Sequence, residues 1–296
     1  MTRPFKSQRW VPYVFVSPFV ISVLAFYVYP MIQTTVMSFQ EVLPGMTEFI
    51  GLDNFRRIFG LPQFSRAFQN NLIYTALTIA VLIPVPMVLA VLLNSSHGRS
   101  MRAFRGMLFL PALLSVVVVG TVFRLMFAST PISIANTVSR YLGFPPQQWL
   151  FAGRAQAMFL LVLIATWRWT GVNIVYFLSA LQQIPNDLYE SADIDGAGPI
   201  QKFRHITVPL ISPTTIFVTT ISIFGGFAMF EESFILWGAS SPNNVGLTMV
   251  GMIYRQGFQS GRLGAGSAVG LVLLGVVFVI SLTFLRFTGF FRIEKR

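Results

Sequence analysis

The sequence predicts an all-α, polytopic membrane protein with six transmembrane helices and one helical loop on the cytoplasmic side. Three observations carry this. Hydrophobic residues make up 54% of the chain and charged residues only 10%, with a mean hydropathy of +0.68, whereas soluble domains carry about 25% charge. Six apolar stretches are each long enough to cross a hydrocarbon core of ~30 Å, which takes roughly 20 residues. The exception to the oily pattern is a single loop, residues 185–213. It holds Asp187, Glu190, Asp193 and Asp195, four of the chain's ten acids, together with Lys202, Arg204 and His205.

In chain order the predicted spans are residues 11–31, 72–93, 107–127, 158–180, 214–237 and 264–285. The basic N-terminus before the first span could start a signal peptide. The apolar run that follows lacks a small-residue cleavage site, which favours a retained span. Basic residues set the topology. Arg3, Lys6, Arg9, Arg99, Arg102, Arg105, Lys202, Arg204, Arg286, Arg292, Lys295 and Arg296 fall on one side. Arg56, Arg57, Arg66, Arg140, Arg154, Arg255 and Arg262 are spread over longer loops on the other. All three lysines lie on the richer side, so both termini are expected in the cytoplasm. A net charge of +11 would suggest nucleic acid in a soluble protein, but at membrane edges it meets anionic headgroups.

Residues 49–59 mix aromatics with charge, as expected of a short helix on the membrane surface. Pro111 near the start of the third span is cheap there and bends it. Residues 239–244 are turn chemistry. With no internal repeat, low-complexity tract or soluble domain, residues 1–296 read as one transmembrane domain with its core at about 72–285.

Enzyme chemistries lack their parts. The chain has no cysteine and two histidines, His97 and His205, which excludes thiol catalysis and leaves too few ligands for a histidine metal cluster. There is no phosphate-binding G-x-x-x-x-G-K-[ST] and no G-x-S-x-G elbow. If nucleotide drives this protein, another chain binds it.

Ionisable residues at membrane depth cost at least ~2.5 kcal/mol each and usually line cavities or pair. Arg168 stands in Thr166-Trp-Arg-Trp-Thr170, with Asn173 and Tyr176 along the same span. Glu231 and Glu232 stand in Phe230-Glu-Glu-Ser-Phe234. One reading is a pocket where Trp169, Asn173 and Glu231 stack on and hydrogen-bond a sugar. The other is an Arg–Glu pair that only fixes packing. Arg124 and Glu232 suit pairing or snorkelling. The glycines at 225, 226, 264, 266, 270 and 275 suit close helix approach.

In the loop, Asn186 is expected to cap a helix reaching about Ile194. That helix places Asp187, Glu190 and Asp193 on one face, with Leu188 and Ala192 beside them. Gly196 permits a turn, and Pro199 opens a second helix with Ile200, Phe203 and Thr207 on one face. Pro209 and Pro213 end it. An acidic face flanked by apolar residues reads as a docking surface rather than a plain connector.

Glu190-Ser-Ala192, Gly196 and Ile206-Thr-Val-Pro209 together resemble the E-A-A…G…I-x-L-P loop of the permease subunits of ABC importers, with Ser191 in place of Ala and Val208 in place of Leu. Asp195-Gly-Ala197, Phe203, Gly51-Leu-Asp-Asn-Phe55, Leu110-Pro111 and Leu181-Gln-Gln-Ile-Pro185 are similar to the sugar-transporting branch, the maltose-type first permease subunit. Trp167-Arg-Trp169, residues 225–232 and residues 241–246 look most like arabinose or arabino-oligosaccharide permeases. Many relatives carry T-G-G-G-P after the fifth span, where this chain has Trp237-Gly-Ala-Ser-Ser-Pro242.

The resemblance implies a sugar importer driven by ATP, in which this chain forms half of the pathway in the cytoplasmic membrane. Its implied partners are a second homologous permease, two ATPase subunits and an external solute-binding protein. The implied coupling loop engages the ATPase through Glu190, Ser191, Ala192, Asp195, Gly196, Ala197, Phe203, Ile206 and Pro209. The implied sugar contacts are Arg168, Trp169, Val172, Met229 and Glu231. No cofactor is expected on this chain, since ATP and Mg would sit on the ATPases. Two alternatives stand beside this reading. One is an importer of glycerol phosphate or another polar solute, with Arg168 holding an anion. The other is a stand-alone secondary transporter with Arg168 and Glu231 as an ion-coupling pair.

Overall fold

A computed structural model describes residues 10–94, 99–238 and 241–290, with side chains from residue 104 onward in the third predicted span's approach. Arg3, Lys6, Arg9, His97, Ala239, Ser240, Arg292, Lys295 and Arg296 lie outside the described residues, as do the side chains of Arg99 and Arg102. Helices dominate. Among the described residues, five are long and apolar enough to cross a membrane, or six if one bent pair counts as a single span. In lipid, helices gain little from burying apolar side chains against each other, so close approach and backbone satisfaction decide the packing. The described residues fall into two compact units, one holding residues 10–61 with Ile253–Val272, the other holding Pro62–Met252 and residues 273–290.

In the first unit the opening span runs from Val11 to Ser38. Pro30 has no N–H to donate, and the helix widens before it into a π turn, Leu24–Val28, whose following residue Tyr29 donates to the Leu24 carbonyl. The helix then gives way to an antiparallel hairpin, β1 (Gln40–Leu43) with β2 (Met46–Phe49), in which Leu43 faces Met46. The all-α expectation missed this hairpin, although Pro44-Gly45 is its turn signal: Pro at the first position, and Gly45 at φ +81° at the second. Residues 49–59 do contain the expected short helix, Asp53–Phe59. Its buried Asn54 donates to the carbonyls of Ser38 (3.1 Å) and Gln40 (2.8 Å), which ties helix, strand and span together.

The second unit is built on the fourth span, Arg154–Leu181, whose Leu160, Leu161, Ile164, Ile174 and Phe177 are fully enclosed. The second span, Pro62–Asn94, breaks into Pro62–Leu82 and Pro84–Asn94. The expected third span is not one straight helix. Phe104–Leu113 and Val116–Met126 meet at 96°, and the bend falls at Leu114–Ser115 rather than at Pro111. Each half serves a different neighbour. Gly171 lets the first half lie backbone-to-backbone on the fourth span, since a Cβ there would stand 1.9 Å from the Leu108 carbonyl oxygen. The second half meets the helix Glu231–Trp237, where Gly120 packs under Ile235. Of the glycines expected at close contacts, Gly226 faces Thr75 in this unit, and in the first unit Gly264 faces Gln40 and Gly266 faces Gly257. Gly225 and Gly275 face open space.

Candidate functional site

The fifth span, Ser212–Trp237, is continuous only to Ala228. At Met229 (ψ 125°) and Phe230 (φ −149°) the backbone leaves the helix, and it resumes at Glu231. Such a break strands the last carbonyls of the first half, which lipid cannot satisfy. Asn71 supplies the donor. Its Nδ2 reaches the carbonyls of Gly226 (2.8 Å) and Phe227 (3.3 Å), and its Oδ1 accepts the Met249 N–H at 2.7 Å. The adjacent Asn70 donates to the carbonyls of Asn244, Val245 and Leu247. Both side chains are fully buried.

The break opens a cleft of about 470 Å³ between the second, fourth and fifth spans. Arg168, Trp169, Asn173, Met229 and Glu231 all line it, joined by Tyr74, Thr78 and Glu232. Val172 is not among the lining residues. The guanidinium of Arg168 donates through Nη1 to Glu232 Oε1 at 3.0 Å, and both side chains are largely buried. It also lies 5.3 Å from the centre of the Trp169 ring, within cation–π reach. Glu231 is exposed to the cleft. An arginine–glutamate pair between spans therefore exists, and its acid is Glu232; the ion-coupling pair of Arg168 with Glu231 is not formed. Arg124 is exposed.

Asn173 has a second task. In a helix the Leu82 carbonyl would accept the N–H of residue 86, but that residue is Pro86, which has none. Asn173 Nδ2 donates to that carbonyl instead, at 2.9 Å. Its amide nitrogen is thus held by the second span, while its side chain still walls the cleft. Residue reading alone missed Asn70 and Asn71, because the span predicted from residue 72 cut off the pair, and passed over Tyr74 and Thr78 within that span. Two adjacent amides one turn from an apolar run were the available signal.

The polar loop forms the second site. Its first helix is Asn186–Ile194. Asn186 is the first helical residue and not the cap; Pro185 holds the cap position without a side-chain bond. The helix ends in a Schellman turn, in which the N–H of Ala197 bonds to the Ala192 carbonyl and that of Gly196 to the Asp193 carbonyl. Gly196 adopts φ +76°, where a side chain is strained. Pro199 opens the next helix as expected, and Gln201 Oε1 accepts the Gly198 N–H at 2.8 Å. A π turn, Phe203–Thr207, again precedes a proline, Pro209, and carries the helix through it to Leu210. Pro209 therefore lies within the helical track rather than ending it.

Two contacts clamp the loop's halves: Lys202 with Asp193 at 2.6 Å, and Tyr189 Oη with Thr207 Oγ1 at 2.9 Å. Ala192, Asp195, Gly196, Ala197 and Ile206 line one shallow groove with Lys202 and His205. Glu190, Ser191, Phe203 and Pro209 are not in its lining; Glu190, Ser191 and Pro209 are exposed and Phe203 is half-buried. Ile200 does not share a buried face with Thr207: it points outward, as does Ile194.

Residues 83–296 match the family described as the binding-protein-dependent transport system inner membrane component. The chain is 50% identical to the arabinooligosaccharides transport system permease protein AraP of Halalkalibacterium halodurans, over 97% of this chain and 90% of that protein. It is 49% identical to the protein of the same description from Bacillus subtilis, over 98% of this chain and 92% of that one. A crystal structure of a bacterial alginate ABC transporter, in complex with an alginate pentasaccharide-bound periplasmic protein, superposes with a TM-score of 0.83. That likeness covers 94% of this chain and 93% of the other at 26% identity.

Proposed function

The chain belongs to the binding-protein-dependent transport system inner membrane components, the permease subunits of ABC importers, and we propose that the sugar it passes is a neutral, pentose-containing oligosaccharide. One observation carries the choice of a neutral cargo: the charge of Arg168, the cation of the cleft, is already paired with Glu232 at 3.0 Å, while Glu231 is exposed to the same space. Two glutamates against one arginine give the three side chains a formal charge of one negative, so a phosphate or uronate would meet repulsion and would have to break a largely buried pair. A glycerol phosphate cargo with Arg168 as its anchor is disfavoured for that reason. Trp169 offers a flat apolar face for a sugar ring, and the descriptions of the relatives in Halalkalibacterium halodurans and Bacillus subtilis support the pentose assignment.

In this reading residues 1–296 act as one permease domain with both termini in the cytoplasm. It pairs with a second permease, and an external solute-binding protein delivers sugar to the outer mouth. Two ATPase subunits bind ATP and Mg, and each receives one polar loop. Closure of the ATPases draws the loops together and exposes the cleft, where Arg168, Trp169, Asn173, Met229 and Glu231 serve the sugar. On the loop, Glu190, Ser191 and Pro209 meet the ATPase directly, while Ala192, Asp195, Gly196, Ala197 and Ile206 shape the groove that Phe203 backs. This chain itself carries no cofactor and no catalysis.

The test is uptake by the assembled importer in proteoliposomes, with its solute-binding protein and ATP, over a panel of arabino-oligosaccharides, maltodextrins, uronate oligosaccharides and sugar phosphates. ATP-dependent uptake of the arabino-oligosaccharides alone is expected. Uptake of the uronates or phosphates in preference would overturn the neutral-cargo reading, and uptake by this chain without partners would overturn the ATP-driven one.

A further inference from the structure

We propose that the segment joining the third and fourth spans is seated in lipid. Its helix Ile134–Tyr141 would lie in the interface of the leaflet from which those spans emerge, with its outward face among the acyl chains. The starting observation is an inversion of polarity. Ile134, Val138, Tyr141 and Leu142 fall at i, i+4, i+7 and i+8, one face of a helix. On a helix facing water that stripe would turn inward. Here Ser133, Asn136 and Ser139 are the buried residues, while Ile134 is 58%, Leu142 68% and Tyr141 88% exposed.

The arrangement is enforced from within. Asn136 spends its whole amide on the inner side: Nδ2 donates to the carbonyls of Thr130 (3.0 Å) and Gln147 (3.1 Å). Its Oδ1 accepts the Gln147 N–H (2.7 Å) and the Trp149 indole N–H (2.9 Å). Rolling the helix to hide its apolar face would break four hydrogen bonds, each worth about 0.5–1.5 kcal/mol net. The outward stripe is therefore the built state.

The chemistry selects lipid as the occupant. Residues 127–153 contain no acid and one cation, Arg140, whose Nη2 donates to the Pro131 carbonyl at 2.8 Å beside the stripe. An apolar face with an aromatic and a lone arginine suits the acyl–phosphate boundary. The segment is also continuous with lipid-crossing helices: it starts just after Val116–Met126 and ends at Arg154–Leu181. Seated there, it presents the Leu150 carbonyl to the Trp237 indole N–H at 2.7 Å, so the outer end of the fifth span is referenced to the bilayer.

The test uses the absence of native cysteine. Ile134→Cys and Leu142→Cys, with Glu48→Cys on the exposed strand β2 as an aqueous reference, are spin-labelled in the full chain and placed in the assembled importer. The importer is held in nanodiscs of phosphatidylcholine and phosphatidylglycerol. Collision with oxygen, which concentrates in lipid, is compared with collision with a nickel chelate, which stays in water. Labels at 134 and 142 should favour oxygen several-fold more than the label at 48. Nickel access equal to that at 48 would overturn the proposal in favour of a water-facing loop, and shielding from both reagents would overturn it in favour of a face covered by protein.

Discussion

Arg168 on the fourth span and Glu232 just beyond the break in the fifth form an ion pair 3.0 Å long, with side chains only 14% and 12% exposed. Removing one member leaves the other charged in a place with little water, a loss of ~3–5 kcal/mol for buried pairs. Arg168→Gln or Glu232→Gln alone should therefore lower the melting temperature of the detergent-solubilised protein clearly. The double variant should regain much of the loss. Strictly additive losses would show that the two side chains do not depend on each other.

Asn71 holds three backbone groups around the cleft, and each buried polar group left unpaired costs about 1–3 kcal/mol. Asn71→Ala should destabilise the chain and cut uptake by at least tenfold. Asn71→Asp keeps the acceptor for the Met249 N–H but brings no donor, and should lose nearly as much. Wild-type melting and uptake in both variants would remove Asn71 from any role in shaping the cleft.

The pairing of Asn173 with the Leu82 carbonyl follows from Pro86. Pro86→Ala returns a backbone N–H to that carbonyl, so Asn173→Leu should cost measurably less stability in the Pro86→Ala background than in the natural one. A coupling of about 0.5–1.5 kcal/mol is expected from one net hydrogen bond. Thermal denaturation of the four proteins in the cycle measures it, and zero coupling would refute the link.

Gly196 stands at φ +76° in the turn between the loop's helices. A β-branched residue there costs roughly 1–2 kcal/mol locally and opens the Schellman turn. Gly196→Val is expected to abolish uptake and sugar-stimulated ATP hydrolysis while the solute-binding protein still docks. Gly196→Asn, which tolerates that conformation, should keep a sizeable fraction. Normal stimulated hydrolysis in Gly196→Val would leave the loop a mere connector.

Tyr189 and Thr207 bridge the first helix of the loop to the π turn through their hydroxyls. Tyr189→Phe removes that bridge without changing bulk. It should reduce sugar-stimulated hydrolysis two- to fivefold and leave basal hydrolysis unchanged. Unaltered stimulation would mean that the Lys202–Asp193 contact suffices to hold the two helices together.

What the sequence revealed depended on how far apart the interacting residues lie. The loop was legible because its determinants are local: Gly196 three residues before Pro199, and acids one turn apart. The bent third span was not, because the bend is set by which helices each half meets, through Gly171 and Gly120, rather than by Pro111. Arg168 and the two glutamates were visible as candidates. Which acid pairs is decided by the break at Met229–Phe230, which turns Glu232 toward the fourth span and Glu231 into the cleft. Asn71 escaped notice because its partners stand 155 to 178 positions away.

The helix Ser212–Ala228 has no break between the buried Ile211 at its start and Met229 at the cleft. At 1.5 Å per residue its 17 residues make an arm of about 26 Å. A tilt of about 10° about Ile211, where the polar loop feeds into the span, swings the far end by about 4.5 Å over that arm. Were the loop to turn through such an angle, the unbroken helix would carry the motion to Met229 enlarged by its own length, with no change within the helix itself.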